Sequence, residues 1–512
     1  RAHTDLGQKY ADSVAQVIKK QQLGGVVFFQ GGPGRQALLT NQYQALAKTP
    51  LMIAMDAEWG LGMRLDSTVS YPYQMTLGAI QNNRLIYQMG QEVAKDFKRL
   101  GMHINFAPVM DINNNPRNPV INYRSFGDNK YNVAQKSIAY MKGMQESGIF
   151  TTAKHFPGHG DTDVDSHYDL PKLPFTAARL DSLEMYPFKQ AFAENLSGIM
   201  VAHMNIPNLD STKNLPSTLS KPIVTNILKE KLGFKGLIFS DAMGMKGVVK
   251  YFPNGEADVR GIIAGNDVLE LSENTERAIH LIRKSIRHHR LTWEDINQKV
   301  KKILEAKYWM GLNNLEEVNT QNVVTDLNRP ASYQLIQNLT DAAVTVVKND
   351  NIIPLRNDFI RKTAVLCIGQ KQESAFYKSI NQAYPNTILF LIPKDLSDTE
   401  YNQVKASLQN FDQIINVVYD TRKRPSSQLD YNNNLKSLIT DVSKANTISV
   451  ILANPYTIAG LPGIEKSKSI IVGYQNSVEM ENSAAKVVLG KLKSQGKLPV
   501  SVNSFFKYGD GL

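Results

Sequence analysis

The sequence predicts an α/β protein, a β/α barrel followed by a second α/β unit, and three observations predict it. Short, unbroken apolar runs alternate with helical segments through the first half of the 512-residue chain. Most of these runs end in loops rich in Asp, His, Asn or Gly. After a polar interruption the alternation resumes. Continuously apolar strands separated by helices imply a parallel sheet covered on its faces, and a series of such strands with polar loops at their ends fits a barrel better than an open doubly wound sheet.

The first helix covers Gln8 to Gln22, and Gly24 to Phe29 then switches to a short buried strand. Further strands are expected at Leu51 to Met55, His103 to Pro108, Gly148 to Ala153, Gly198 to Ala202, Gly236 to Ser240 and Asn266 to Leu271. Helices are expected between most of them, at Gln36 to Ala47, Arg84 to Leu100, Val133 to Glu146, Leu180 to Glu194 and Pro222 to Leu232, and after the last at Thr275 to His289. That makes seven barrel strands. An eighth, first strand is expected before Arg1, so the chain is expected to begin inside the first βα loop, or the barrel to be atypical there.

A helix from Ile296 to Trp309 and the polar stretch Asn313 to Asn328 place the domain boundary. Residues 1–312 are expected to form the barrel, 313–334 a linker and 335–512 the second unit. Strands of the second unit are expected at Ala342 to Val347, Thr363 to Ile368, Thr387 to Ile392, Gln413 to Val418, Thr447 to Leu452 and Ser469 to Gly473, with helices such as Asn432 to Lys444 and Val478 to Leu492.

Composition narrows the function. Hydrophobic residues make up 42%, enough for a substantial core, and the formal charge of +11 is spread without a dense basic run interleaved with aromatics. It reads as a solvated basic surface, not a nucleic-acid site. No apolar run approaches the roughly 20 residues of a membrane span. The single cysteine, Cys367, lies in an apolar run, so neither an intramolecular disulfide nor a multi-cysteine metal site can form.

Reactive side chains in a barrel sit at the carboxyl ends of its strands. There the sequence places Asp56, Glu58 and Arg64, then Asp111, Asn113 and Arg124, then the loop Lys154 to His167 (KHFPGHGDTDVDSH), then His203, then Asp241. Asp241 directly follows the strand Leu237-Ile238-Phe239-Ser240 and has apolar neighbours. A carboxylate there suits a nucleophile for an oxocarbenium-like transition state; a helix N-cap accounts for its position equally well.

Asp165 and His167 are separated only by Ser166, so in an extended loop they share a side and the carboxylate can hold the imidazole as a proton donor. Metal binding by His155, His159, Asp161, Asp163, Asp165 and His167 is the competing reading. It lacks the His-Glu-x-x-His spacing and any cysteine, and Pro157-Gly158 keeps His155 and His159 off a shared helical face. Lys154 and Arg124 suit oxygen-gripping roles, and Asp56 suits accepting from vicinal hydroxyls.

These motifs together resemble glycoside hydrolase family 3, in its β-N-acetylglucosaminidase branch. The resemblance rests on GGVVFF, AMDAEWGLGMR, NYRSFG, KHFPGHGDTDVDSH and GLIFSDAMGM, then AAVTVVKNDNIIPL and GKLPVSV. It implies a barrel followed by an α/β sandwich domain, an aspartate nucleophile at Asp241, an acid/base histidine at His167 oriented by Asp165, and N-acetylglucosamine-binding positions at Asp56, Arg64, Arg124, Lys154 and His155. The family's Asp-Gln-Glu-Gly-Gly run is Asp56-Ala57-Glu58-Trp59-Gly60 here, and its Asp-Asp after the nucleophile strand is Asp241-Ala242, which leaves one carboxylate at that point.

The expectation is a retaining exo-β-N-acetylglucosaminidase releasing terminal N-acetylglucosamine from peptidoglycan fragments, with no cofactor or metal and with export to the periplasm or envelope favoured over a cytoplasmic location. Alternatives are a β-glucosidase or β-xylosidase of the same family, which usually takes its acid/base carboxylate from the second domain, a phosphorylase, and a non-catalytic cell-wall-sugar-binding protein.

Overall fold

Six short parallel strands build the first unit, and nearly every residue in them is buried, because helices cover their outer faces. They are β1 (Gly25–Phe28), β2 (Met52–Met55), β3 (Ile104–Asn105), β4 (Phe150–Phe156), β5 (Gly198–Val201) and β6 (Leu237–Ser240), hydrogen-bonded in chain order. In this computed structural model residues 1–355, 361–423, 429–444 and 446–512 are described. They form two compact units. One comprises Arg1–Tyr71, Ile86–Ile121 and Val133–Tyr333; the other comprises Pro72–Leu85, Asn122–Asn132 and Gln334–Leu512.

Strand alternation fills the barrel and arms its mouth. Side chains of one parity, Val27, Met52, Ala54, Ile104, Phe106, Phe150, Met200, Leu237 and Phe239, pack together with Leu312 as one apolar cluster. The opposite parity, including Ile199, Val201 and Ile238, packs with Phe188, Val224 and Leu228 of the surrounding helices. Two residues on from Ala54, Thr152 and Phe239, the inner parity reaches Asp56, Lys154 and Asp241.

The structure departs from the expected strands where a local feature intervenes. The third strand is cut to two residues. Phe106 N still bonds Met55 O, but Pro108 has no N–H to give. The expected seventh strand is reduced to an isolated parallel bridge between Val268 and Phe239 of β6, flanked by bonds from Asp267 N and Val268 N to Ile238 O. At the other edge Ala2 bridges Phe28 in parallel, with Ala2 N bonded to Val27 O and Phe29 N to Ala2 O. Residues 1–4 therefore run along β1 where the eighth strand is expected. Among the described residues no bridge joins that stretch to Val268, and an apolar cavity of about 440 Å³ opens between them, lined by Val27, Met52, Phe106, Phe239 and Glu270.

The second unit holds a mixed sheet of β7 (Thr345–Asn349), β8 (Thr363–Ile368), β9 (Thr387–Ile392), β10 (Gln413–Tyr419), β11 (Thr447–Leu452) and β12 (Ser469–Val472). The order is β7-β12-β11-β10-β8-β9, parallel except for β7 against β12. Strand β7 starts three residues later than expected, because the helix Pro330–Ala343 carries the helix-forming Ala342-Ala343 pair in its last turn. Cys367 is fully buried in β8.

Candidate active site

Asp56, Lys154 and Arg64 form one ion network at the barrel mouth. Lys154 Nζ lies 2.7 Å from Asp56 Oδ1 and 2.9 Å from Glu58 Oε1, while Arg64 Nη2 lies 2.7 Å from Asp56 Oδ2. Lys154 is 2% exposed and Glu58 0%, so each charge depends on the others for solvation. Burial alone would push the Asp56 carboxyl up; Lys154 and Arg64 outweigh it and hold it far below the usual carboxylate range.

Asp111 is the hub of the following loop. Its Oδ2 lies 2.6 Å from His155 Nδ1, and its Oδ1 accepts from the backbone N–H groups of His159, at 2.7 Å, and His155, at 3.2 Å. A carboxylate only accepts, so His155 Nδ1 carries the proton and the ring is fixed in orientation. Burial opposes the charge on Asp111, but His155 and His159 prevail and its carboxyl is held low.

His159 is buried, which pushes it down to about 4. Its neutral ring takes Thr162 Oγ1 at 2.8 Å on Nδ1 and Ser166 Oγ at 3.0 Å on Nε2. Ser166 is thereby held inside, while Asp165 is partly buried and His167 is exposed. The stretch is a turn and not the extended loop expected. Asp165 Oδ1 accepts from both His167 N, at 2.9 Å, and His167 Nδ1, at 2.7 Å. The pairing of the two side chains is present by this different route, and His167 is 61% exposed at the side chain. Among the described residues no cluster of three or more His, Cys, Asp or Glu is arranged around a metal position.

Asp241 follows β6 with its backbone N–H on Val201 O, and its Oδ1 accepts from Ala242 N at 2.7 Å. Burial would raise this carboxyl, but the imidazoles of His203 and His155, the Ala242 N–H and His167 together hold it below its usual range. An ionised carboxylate is what nucleophilic attack needs. His203 braces the same turn. Its Nε2 donates to Ala242 O at 3.1 Å, and Thr218 Oγ1 lies 2.6 Å from Nδ1.

The first unit thus brings together Asp56, Arg64, Lys154, His155, Asp165, His167 and Asp241. Arg124 is buried in the short helix Asn122–Arg124 and belongs to the second unit.

Sequence reasoning missed Glu270, which is 8% exposed beside the apolar cavity. Burial, then the charges of Asp56 and Asp241, push its carboxyl well above the ordinary glutamate range. A carboxyl breaking the apolar run Val268-Leu269-Glu270-Leu271 was the available signal. A folded-state pKa above the unfolded one stabilises the protein at low pH, and that contribution is lost as pH rises through the folded value, at about 1.4 kcal/mol per pH unit. Glu270→Gln is therefore expected to match the parent near pH 4 and to exceed its stability at pH 8. Thermal unfolding across pH checks this, and parallel pH profiles would refute it.

Carboxylates and imidazoles at the mouth of a β/α barrel, with an α/β sandwich unit in the same chain, define a two-domain glycoside hydrolase. Residues 3–306 match the glycosyl hydrolase family 3 N terminal domain and residues 344–507 the glycosyl hydrolase family 3 C-terminal domain; the chain belongs to glycosyl hydrolase family 3. Beta-hexosaminidase A of Pseudoalteromonas piscicida is 26% identical over 96% of this chain and 91% of its own length. A beta-hexosaminidase of Haemophilus influenzae is 30% identical over 54% of this chain and 80% of its own. The structure of a family 3 beta-N-acetylglucosaminidase from Paenibacillus sp. str. FPU-7 superposes with a TM-score of 0.80 at 27% identity, covering 96% of this chain and 95% of that one.

Proposed function

We propose that this protein is a retaining exo-β-N-acetylglucosaminidase that removes terminal N-acetylglucosamine from peptidoglycan fragments through a glycosyl-aspartate intermediate. The observation that carries the reading is Asp241, which follows β6 at the barrel mouth and is kept ionised against its burial by three imidazoles and a backbone N–H. The full-length likeness to a hexosaminidase and to an N-acetylglucosaminidase structure supports the choice of sugar.

In this reading the Asp241 carboxylate attacks the anomeric carbon as the glycosidic C–O bond breaks. His167, whose Nδ1–H is held by Asp165, gives its Nε2 proton to the leaving oxygen. Water then attacks the same carbon, His167 Nε2 takes its proton, and Asp241 departs. Two inversions give net retention. Asp56, Arg64, Lys154 and His155 grip the sugar. We further propose a domain boundary within residues 313–334.

Proton donation matters least when the leaving group is already a good anion. His167→Gln is expected to lower kcat/KM by about 10²–10⁴-fold on alkyl or disaccharide N-acetylglucosaminides, and by much less on the nitrophenyl glycoside. Equal losses on both would remove His167 from the acid role. The same assay on Arg124→Ala decides whether that arginine takes part in sugar binding. Retention is tested by proton NMR of the first-formed product, which must be the β anomer. A preference for nitrophenyl glucoside over nitrophenyl N-acetylglucosaminide would overturn the choice of substrate.

A further inference from the structure

A groove of about 650 Å³ lies among three helices of the first unit, Gly7–Gln21, Thr275–Arg287 and Trp293–Trp309. It shares no residue with the barrel mouth. One stripe of the helix Thr275–Arg287 faces it, because Glu276, Ile279, His280, Arg283, Ile286 and Arg287 recur at three- and four-residue spacing. Lys20, Gln21 and Trp293 complete the lining.

The charges can be followed one by one. Lys20 Nζ lies 2.9 Å from Glu276 Oε2, so that pair cancels. Arg290 Nη2 lies 3.1 Å from Glu256 Oε1, and Arg277 Nε donates to Asn254 O at 2.7 Å, so both are engaged outside the groove. Arg283 and Arg287 are exposed, and neither side chain makes a hydrogen bond or ion pair with another described residue. Two guanidinium groups therefore keep their donors open to a ligand. They stand one helical turn apart, about 6 Å along the axis. Cations in a row suit charges that repeat along a chain better than they suit a single small anion.

Apolar surface lies beside them. Trp293 is 61% exposed, and Ile279 and Ile286 are half-buried. A guanidinium fork matches a planar carboxylate through two parallel N–H···O bonds, and the indole offers a broad apolar face against which the C–H side of a sugar ring can lie. A phosphate polymer without rings would use the cations and leave that face idle.

We propose that this groove binds an acidic polysaccharide, a linear glycan with carboxylates on its sugar rings, successive carboxylates meeting Arg283 and Arg287 and one ring lying against Trp293. The inference does not depend on the hydrolase reading, since none of these residues belongs to the proposed catalytic machinery. Calorimetry on the full chain tests it with a guluronate hexasaccharide, with neutral maltohexaose, and with linear hexaphosphate, which has the charge without the rings. Sedimentation with phosphatidylglycerol vesicles tests a lipid surface instead.

The hexauronate is expected to bind about ten-fold more tightly than maltohexaose and more tightly than hexaphosphate, with affinity falling as salt screens the charge. The double variant Arg283→Gln, Arg287→Gln is expected to remove the advantage over maltohexaose. Trp293→Ala is expected to weaken hexauronate binding several-fold and to leave hexaphosphate binding unchanged. Equal binding of hexauronate and maltohexaose, binding of neither, a preference for hexaphosphate or for the vesicles, or a hexauronate affinity unchanged in either variant would overturn the proposal. Hydrolysis of nitrophenyl N-acetylglucosaminide is read separately and should be the same in parent and variants. Its absence from the parent would defeat the activity reading and leave the glycan-binding result standing.

Discussion

Asp241→Asn is expected to lower kcat/KM for nitrophenyl N-acetyl-β-glucosaminide by about 10⁴-fold or more, with little change in stability. The amide has nearly the same shape, and its oxygen still accepts from Ala242 N–H, a contact of 2.7 Å in the parent. What disappears is the negative charge that His203, His155 and His167 favour. Steady-state kinetics with a parallel denaturation curve separates loss of chemistry from loss of fold.

A second variant identifies the role and not only the need. In Asp241→Ala, azide can enter the vacated space and attack the anomeric carbon once, so turnover should return and the product should be the α-glycosyl azide. A loss below about ten-fold in the asparagine variant, or a β-azide product, would assign the nucleophile to another carboxylate.

The second large effect concerns stability. Lys154→Met keeps the volume of the side chain but removes the cation shared by Asp56 and Glu58, at 2.7 and 2.9 Å. Breaking a buried pair by deleting one partner costs about 3–5 kcal/mol, because the charge left behind keeps its desolvation penalty. Against a typical total stability of about 5–15 kcal/mol this is severe. Chemical denaturation should show a lower midpoint, and activity should fall through KM as well as kcat. If Lys154→Met unfolds at the parent's denaturant concentration, the network is not the structural keystone that its burial implies.

Much of the barrel was legible because its rules are local. Strand parity carries Met52 and Ala54 to Asp56 and Leu237 and Phe239 to Asp241, and a reader of the chain can count that. The pairing of Asp165 with His167 was legible for the same reason, being two residues apart, although the turn that produces it was not; it depends on Ser166 reaching His159, at 3.0 Å. Glu270 escaped notice because it falls inside the expected strand Asn266 to Leu271, whereas candidate site residues were sought in the polar loops at the strand ends. The shortened third strand required weighing Pro108 against its apolar neighbours. Least legible was the membership of Asn122 to Asn132 in the second unit. Its contacts join residues hundreds of positions apart, such as Asp128 N to Pro499 O at 3.1 Å, and no periodicity announces them.

That membership has a consequence for how the chain matures. Segments Pro72–Leu85 and Asn122–Asn132 leave the ribosome more than two hundred residues before the sheet strands they join. Lys497 N must find Ala79 O, at 3.0 Å, and Gln475 must find Tyr73 and Thr76 across about four hundred residues of chain. Contacts that distant slow folding, because the intervening loop must close before they reward it. The second unit can be completed only after nearly the whole polypeptide has been synthesised, and a fragment beginning at Gln334 would lack two of its parts.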